Sequence, residues 1–448
     1  MKRKIYNNLL EWKSRNGKSA LLIKGARRVG KSYIAEQFGK EHYESYIKVD
    51  FNDISEENLN LIIDTLHDRD RLFSYLQLIY NTKLYERKSL IIFDEVQECP
   101  KVRAAIKYLV ADGRYDFIET GSLMSIRKNT EKIIIPSEEE HINMYPMDFE
   151  EYLWATGEDM LVDFIKDCYN KRSSIPDAIH RKIMQLFKEY MIVGGMPQVV
   201  NAYLSTKDFN AADREKNTIL TLYRGDIAKH AGAYTLKVES IFDSIPSQLS
   251  RHKKKFKLAS LSETARMREY IEPFTWLKDA RFVNLCFAST EPSIGLEINA
   301  DRTAIKCYFG DTGLLYTLAF SSVEEKNEVY RKIILGKLSL NNGMFMENIV
   351  AQMLTANRHK LFFYSNYDRE DKDSRMELDF LLPKNKISSQ HNINFIEVKS
   401  GTRYDLTSLE KAMKKYANEM NQAIVLHPGN LRYENNILYL PVYMTFLL

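Results

Sequence analysis

Leu21 to Phe38 reads LLIKGARRVGKSYIAEQF. An apolar run is followed by a glycine-bounded turn, and then by apolar residues at helical spacing. The turn, Gly25 to Ser32, fits the pattern G-x-x-x-x-G-K-[ST]. A strand before it and a helix after it are the context that a phosphate-binding loop, the P-loop, requires. Its glycines let backbone N–H groups turn inward around phosphate oxygens, helped by the helix N-terminus. The expected nucleotide contacts are therefore Gly25, Ala26, Arg27, Arg28, Val29, Gly30, Lys31, Ser32 and Tyr33. Lys31 is expected at the β- and γ-phosphates, and the Ser32 hydroxyl on Mg²⁺.

A matching second half lies downstream. SLIIFDE, Ser89 to Glu95, is an apolar strand ending in two carboxylates. Asp94 is expected to hold Mg²⁺, directly or through water, and Glu95 to polarise the attacking water. The next strand, YDFIETGS, ends in Thr120, Gly121 and Ser122. Thr120 is the first choice, and Ser122 the second, for a hydroxyl touching the γ-phosphate or that water; a simple turn is the competing reading. Arg27, Arg28, Arg114, Arg224 and Arg281 are the cations from which sequence cannot choose an arginine finger, and each reads more often as a surface or interdomain ion pair.

Working outward, the first third alternates strands (19–24, 46–51, 89–93, 115–119, 141–147) with helical patterns. That alternation implies a parallel sheet covered on both faces. Residues 149–233 turn helical, with apolar residues at three- and four-residue intervals. A short basic stretch occupies 234–300, ending in WLKDARFVNLCFAS, a helix running into a strand. Strands return from Ile305 in KCYFGD, KLFFYSN, RMELDFLLP, INFIEVKSG, QAIVLHP and ILYLPVYM, with helices expected over 342–357 and 406–419. The domain organisation read from this is 1–148, 149–233, 234–300 and 301–448.

The chain has 448 residues, a formal net charge of +4 and 28% charged residues. A balance so near neutral neither demands nor excludes a nucleic-acid partner, because a local basic patch matters more than the total. Cys99, Cys168, Cys286 and Cys307 are scattered without C-x-x-C spacing, which argues against a disulfide framework or a zinc site. No apolar run reaches the roughly 18–20 residues that span a membrane, and the N-terminus lacks the apolar core of a signal peptide. A cytoplasmic protein is expected.

GARRVGKS, IIFDEVQECP, FIETGS, MYPMDFEEYL, YMIVGGMPQVV, LYRGDIAKH, ARMREYIEPFTWLKDARFV and KCYFGDTGLL follow one another across nearly the whole chain. In this order and spacing they resemble the AAA-type P-loop ATPases of bacteria and archaea that carry a C-terminal domain of unknown function. The resemblance implies an α/β protein: an AAA-type parallel sheet with a helical lid, a winged-helix unit, and a C-terminal domain similar to the restriction-endonuclease, or PD-(D/E)xK, fold. It implies ATP and Mg²⁺ as cofactors. One departure is visible. The segment before the fifth strand reads IPSEEEHINMYPM, without the Gly-Arg pair usual there, so no arginine stands at that place to sense phosphate.

Metal-dependent phosphodiester cleavage needs hard oxygen ligands and a base or cation near the attacking water. The C-terminal stretch offers such a set: Asp379 in MELDFLLP, Glu397 and Lys399 in FIEVKSG, and Glu347 in NNGMFMENIVAQML. Alternation along a strand puts Glu397 and Lys399 on one face with Val398 toward the core. Glu347 lies beside a helical stripe of Met346, Ile349, Val350 and Met353. Glu347, Asp379 and Glu397 are the expected metal ligands, and Asp379, Glu397 and Lys399 the expected catalytic residues. The same charges also fit a retired scaffold that keeps them as ion pairs.

SRHKKKFKLASLSETARMR gathers Arg251, Lys253, Lys254, Lys255, Lys257, Arg266 and Arg268. It reads either as a solvated wing or as a surface for DNA phosphates. GGMP, Gly194 to Pro197, is expected to form a turn packing the lid against the nucleotide site, and Asp226 and Asp311 to make ion pairs at domain seams. Two functions follow. One is an ATPase coupled to a nuclease-like domain acting on DNA. The other is a nucleotide-controlled signalling or assembly switch with a non-catalytic C-terminal scaffold. ATP, DNA and a second copy of the chain are the partners allowed; a membrane is not.

Overall fold

The computed structural model describes residues 1–121, 137–293, 295–323, 326–337, 342–366, 374–384, 391–401 and 403–448. Ser122 lies outside the described residues. The chain forms two compact units, Lys2–Tyr145 and Pro146–Leu448.

The first unit is built on β1 (Ala20–Gly25), β2 (Ser45–Asp50), β3 (Ser89–Asp94), β4 (Asp116–Gly121) and β5 (Glu139–Met144). They form one parallel sheet in the order β2-β3-β4-β1-β5. The inner strands ALLIKG, SLIIFD and DFIETG are buried at every residue, whereas the edge strands β2 and β5 are largely half-exposed. A parallel strand covered on both faces needs a continuous apolar run, and an edge strand does not. Successive side chains of β1 therefore join different cores. Ala20 and Leu22 pack with Ile91, Phe93 and Phe117 under α4 (Arg69–Ile79) and α5 (Pro100–Asp112). Leu21 and Ile23 pack with Leu90, Ile92 and Ile118 under α1 (Ile5–Ser14) and α2 (Lys31–His42). The remaining helix, α3 (Glu56–Thr65), is capped by the Ser55 hydroxyl, which accepts from the N–H of Asn58. Parallel strands bring their carboxyl ends to one edge. Gly25, Asp94 and Thr120 are gathered there.

The second unit opens with α6 (Phe149–Ala155), α7 (Asp159–Lys171), α8 (Asp177–Val193), α9 (Pro197–Thr206) and α10 (Phe209–His230). A reciprocal cap between Asp148 and Glu151 starts α6. Then come α11 (Thr235–Leu249), α12 (Met267–Asp279), β6 (Val283–Ser289), β7 (Ala300–Phe309), α13 (Thr312–Ala319), α14 (Lys326–Ile334) and α15 (Asn342–Ala356). The end of the chain adds β8 (Leu361–Asn366), β9 (Met376–Pro383), β10 (Ile393–Val398), α16 (Thr407–Lys415), β11 (Met420–His427), β12 (Arg432–Glu434) and β13 (Ile437–Pro441). These strands form a mixed eight-stranded sheet, β12-β13-β11-β10-β9-β8-β6-β7. α15 packs on β6, β7, β8 and β10, and α16 on β9 and β11.

Position 300, read from sequence as the end of a unit, falls inside this sheet. β6 and β7 pair antiparallel from Val283↔Phe309 to Ser289↔Ala300, and β6 continues into β8 in parallel. Strand pairing is a long-range property that the local pattern of WLKDARFVNLCFAS does not carry. No described helix is long and apolar enough to cross a membrane.

Candidate functional site

β1 ends at Gly25 and α2 begins at Lys31, so the P-loop bridges strand and helix. A Cβ on Gly25 would meet the Met144 carbonyl oxygen at 2.5 Å and Val29 Cγ1 at 2.9 Å. Gly30 has a φ of 99°, the left-handed region that glycine reaches without a Cβ clash. Ala26 and Val29 are buried, while Arg27, Arg28 and Tyr33 point outward. The buried Lys31 ammonium donates to the carbonyl oxygens of Gly25 and Ala26, each at 3.2 Å. Arg3, which sequence reasoning passed over, is also buried. Its guanidinium donates to Val29 O at 3.1 Å and to Tyr145 O at 2.6 Å, tying the loop to the end of β5. The only signal for it was a basic residue just ahead of the first helix.

The carboxylates of β3 meet this loop. The Ser32 hydroxyl donates to Asp94 Oδ1 at 2.7 Å. The Thr120 hydroxyl donates to the same oxygen and accepts the Glu95 N–H at 3.2 Å. Thr120 thus fixes both carboxylate-bearing residues from the adjoining strand. Glu95 has a left-handed φ of 53°. Its carboxylate accepts from Gln97 Nε2 at 2.5 Å and lies 4.0 Å from Lys31 Nζ. Asp50, at the end of β2 and in register with Asp94, joins the same edge. Burial, aided by Asp94, pushes its carboxyl above the ordinary range.

Of the arginine candidates, Arg114 is held by Asp112 at 2.6 Å and Asp70 at 2.7 Å, and Arg224 by Asp243 at 2.7 Å. The acidic start of β5, expected to precede that strand, has a structural use. Glu139 forms a two-pronged pair with the buried Arg103, at 3.0 and 3.2 Å. Beside it Glu119 is fully buried, and burial together with Glu139 raises its carboxyl well above the usual range.

In the second unit, Glu347, Asp379, Glu397 and Lys399 are brought together, with partners that sequence reasoning missed. Lys306, on β7, is 1% exposed. Its ammonium lies 3.3 Å from Glu347 Oε1, 3.2 Å from Glu377 Oε1 and 3.4 Å from Asp379 Oδ1. Burial opposes its charge, but Glu347, Asp379 and Glu377 outweigh burial and hold it protonated. Lys254 pairs with Glu347, which also accepts from the Tyr308 hydroxyl. Asp379 Oδ2 accepts the Val398 N–H at 2.9 Å, and Lys399 Nζ pairs with Glu397 Oε1 at 2.6 Å. Glu397 Oε2 is buried with no hydrogen-bond partner among the described residues. Burial, then Asp379, raises the Glu397 carboxyl.

Two expectations change. Val398 is only half-buried and Glu397 is the more enclosed residue, because β10 ends at Val398. Lys254 is not a solvated wing charge but a partner of Glu347, whereas Lys253, Lys255, Lys257, Arg266 and Arg268 are exposed. Among the described residues, no group of three or more His, Cys, Asp or Glu side chains is arranged to hold a metal ion. The carboxylates expected as metal ligands, Glu347, Asp379 and Glu397, pair with the ammonium groups of Lys254, Lys306 and Lys399.

Asp311, expected in an ion pair, binds backbone instead. It caps α13 through the Leu314 N–H at 3.0 Å and accepts the Gly195 N–H at 2.6 Å. The GGMP turn is further held by Gly195 O, which accepts from the Met147 N–H at 2.7 Å.

Residues 17–153 match a family described as an AAA domain. Residues 184–326 match a domain of unknown function (DUF8612), and residues 342–444 another (DUF4143). No curated protein matches the chain. Among solved structures, a signal transduction ATPase with numerous domains (STAND) from Pyrococcus horikoshii, with a tetratricopeptide repeat sensor, is 13% identical at a TM-score of 0.28. That match covers 79% of this chain and 48% of the other, so this chain spans about half its length. A DNA replication initiation factor is 11% identical, covering 62% and 77%, with a TM-score of 0.22. Drosophila ORC bound to DNA is 12% identical, covering 75% and 97%, with a TM-score of 0.25.

Proposed function

We propose that the chain is a Mg²⁺-dependent ATP hydrolase that works as a nucleotide-controlled switch, with a nuclease-like C-terminal domain that binds rather than cleaves. The observation that carries the first part is the convergence of Lys31, Ser32, Asp94, Glu95 and Thr120 at one sheet edge. The donor set suits the cofactors. A left-handed Gly30 opens the loop for phosphate, and a hydroxyl and a carboxylate in contact are hard oxygen ligands of the kind Mg²⁺ takes. Ser32 and Asp94 would hold the ion; when bound, Mg²⁺ supplies positive charge to the phosphate oxygens. Lys31 adds charge at the phosphates. Glu95 orients and deprotonates the attacking water, and Thr120 keeps Asp94 and Glu95 in register.

The strand directions support the nuclease-like reading of the C-terminal domain. α15, β8, β9, β10, α16 and β11 follow in order, with β8–β9 and β9–β10 antiparallel and β10–β11 parallel. The order α11, a bridge at Lys255, α12 and the β6–β7 hairpin supports a winged helix. Its exposed lysines and arginines fit a DNA backbone. Against cleavage stands Lys306, because an ammonium and a divalent cation compete for the same carboxylates. Purified protein incubated with ATP, Mg²⁺ and plasmid or single-stranded DNA tests the reading. Phosphate release without strand scission is expected. Scission abolished by Asp379→Ala would replace the switch with a nuclease.

A further inference from the structure

Four carboxylates, Glu347, Glu377, Asp379 and Glu397, converge with three ammonium groups, Lys254, Lys306 and Lys399. With all seven groups ionised, one net negative charge remains. A divalent cation added to this set would leave the cluster net positive in a buried place, which is costly. Without Lys306 the cluster carries two negative charges, the amount a divalent cation neutralises. Geometry agrees with the charge. Among the described residues, Lys306 Nζ is the one cation in contact with the helix carboxylate Glu347 and the strand carboxylate Asp379 together, at 3.3 and 3.4 Å. Mg²⁺ and Mn²⁺ draw oxygen ligands to about 2.0–2.2 Å, which the interposed ammonium prevents.

We infer that Lys306 is a built-in replacement for a divalent cation: its ammonium occupies the position a metal would take between Glu347 and Asp379. The lysine comes from β7, outside the segment 342–444 that matches DUF4143. It reaches the cluster because β7 shares the sheet with β8 and β9 through β6. Lys254 comes from the basic loop next to Lys255, whose backbone bridges to Lys306. The winged-helix segment therefore supplies both cations that neutralise the Glu347 side. Among the described residues, Glu397 Oε2 is buried without a hydrogen-bond partner, a further oxygen beside the cluster.

The inference rests on the nuclease-like reading only for the class of competing cation. Its test is independent of ATP turnover. Mn²⁺ binding is counted by electron paramagnetic resonance on the full nucleotide-free chain, with Asp94→Asn in every sample so that the P-loop contributes no ion. With Lys306 present, adding Asp379→Asn is expected to leave the Mn²⁺ count unchanged. Lys306→Met is expected to gain one bound Mn²⁺ per chain, lost again on adding Asp379→Asn. An ion bound in the presence of Lys306 and removed by Asp379→Asn overturns the inference. So does a folded Lys306→Met chain that gains no ion. If Lys306→Met does not fold, as judged by circular dichroism, the two Lys306-containing samples decide the matter alone.

Discussion

The Ser32 hydroxyl donates to Asp94 Oδ1 at 2.7 Å, joining the first turn of α2 to the end of β3. The two residues stand 62 positions apart, and the parallel sheet brings them together. The contact lies at the centre of the proposed nucleotide site, and the expected consequences of substitution start from it.

Lys31→Ala removes the ammonium held by the Gly25 and Ala26 carbonyls. Loss of nucleotide binding, read with a fluorescent ATP analogue, is expected. Binding equal to wild type would place the phosphate site elsewhere.

Thr120→Val keeps the shape of the side chain and removes the hydroxyl that touches Asp94 and Glu95. Because Thr120 acts through those residues, kcat is expected to fall with KM for ATP little changed. A change confined to KM would mean that Thr120 contacts the nucleotide instead.

Asp213 is the hub of the helical region. It accepts from Thr317 at 2.6 Å, Lys326 at 2.9 Å and Tyr330 at 3.0 Å, and pairs with Lys216 at 3.3 Å. Asp213→Asn is expected to destabilise the second unit by roughly 3–5 kcal/mol, the usual effect of breaking a buried pair. Urea unfolding of that unit measures it, and a loss under 1 kcal/mol would show that the network is not structural.

The same pair sets a pH dependence. Burial raises the Asp213 carboxyl, but Lys216 and its other partners outweigh burial and leave it below the ordinary value. Its contribution is present above about pH 3.9 and fades as pH falls through the lowered folded-state value. Burial lowers Lys216 to about 8, against the pull of Asp213. Between about 8 and about 10.4 the unfolded chain binds more protons at this lysine, so its contribution to stability rises with pH. Lys216→Met should flatten that alkaline limb in a series of melting temperatures, and an unchanged limb would assign it to another group.

The elements of the proposed nucleotide site could be read in the sequence because each is local. A glycine turn between strand and helix, and a carboxylate pair after an apolar run, each occupy a few consecutive residues. The five strands of the first sheet were legible for the same reason, with the ends of the first four displaced by one or two residues, and β5 runs Glu139–Met144 where 141–147 was expected. The C-terminal cluster was half legible. Glu347, Asp379, Glu397 and Lys399 could be named, but not the charges that meet them. Lys306 sits in KCYFGD, where nothing local separates a buried lysine from an exposed one. Lys254 is the middle of a run of three lysines, and only the fold turns it toward Glu347. Glu347 itself was placed beside a buried stripe, yet Met344 to Leu354 of α15 are all buried. A helix enclosed all round has no polar face to place a carboxylate on. Asp311 shows the limit in another way: a backbone N–H partner such as Gly195 leaves no mark in a pattern of side chains.

The most direct test of the central claim is phosphate release from ATP by wild type and by Glu95→Gln, with Mg²⁺ and with excess chelator. Mg²⁺-dependent release by wild type is expected. Glu95→Gln should still bind ATP and hydrolyse it about 10²–10⁴-fold more slowly, as loss of a general base implies. Wild type that neither binds nor hydrolyses ATP, or a Glu95→Gln variant that turns over at the wild-type rate, would contradict the account.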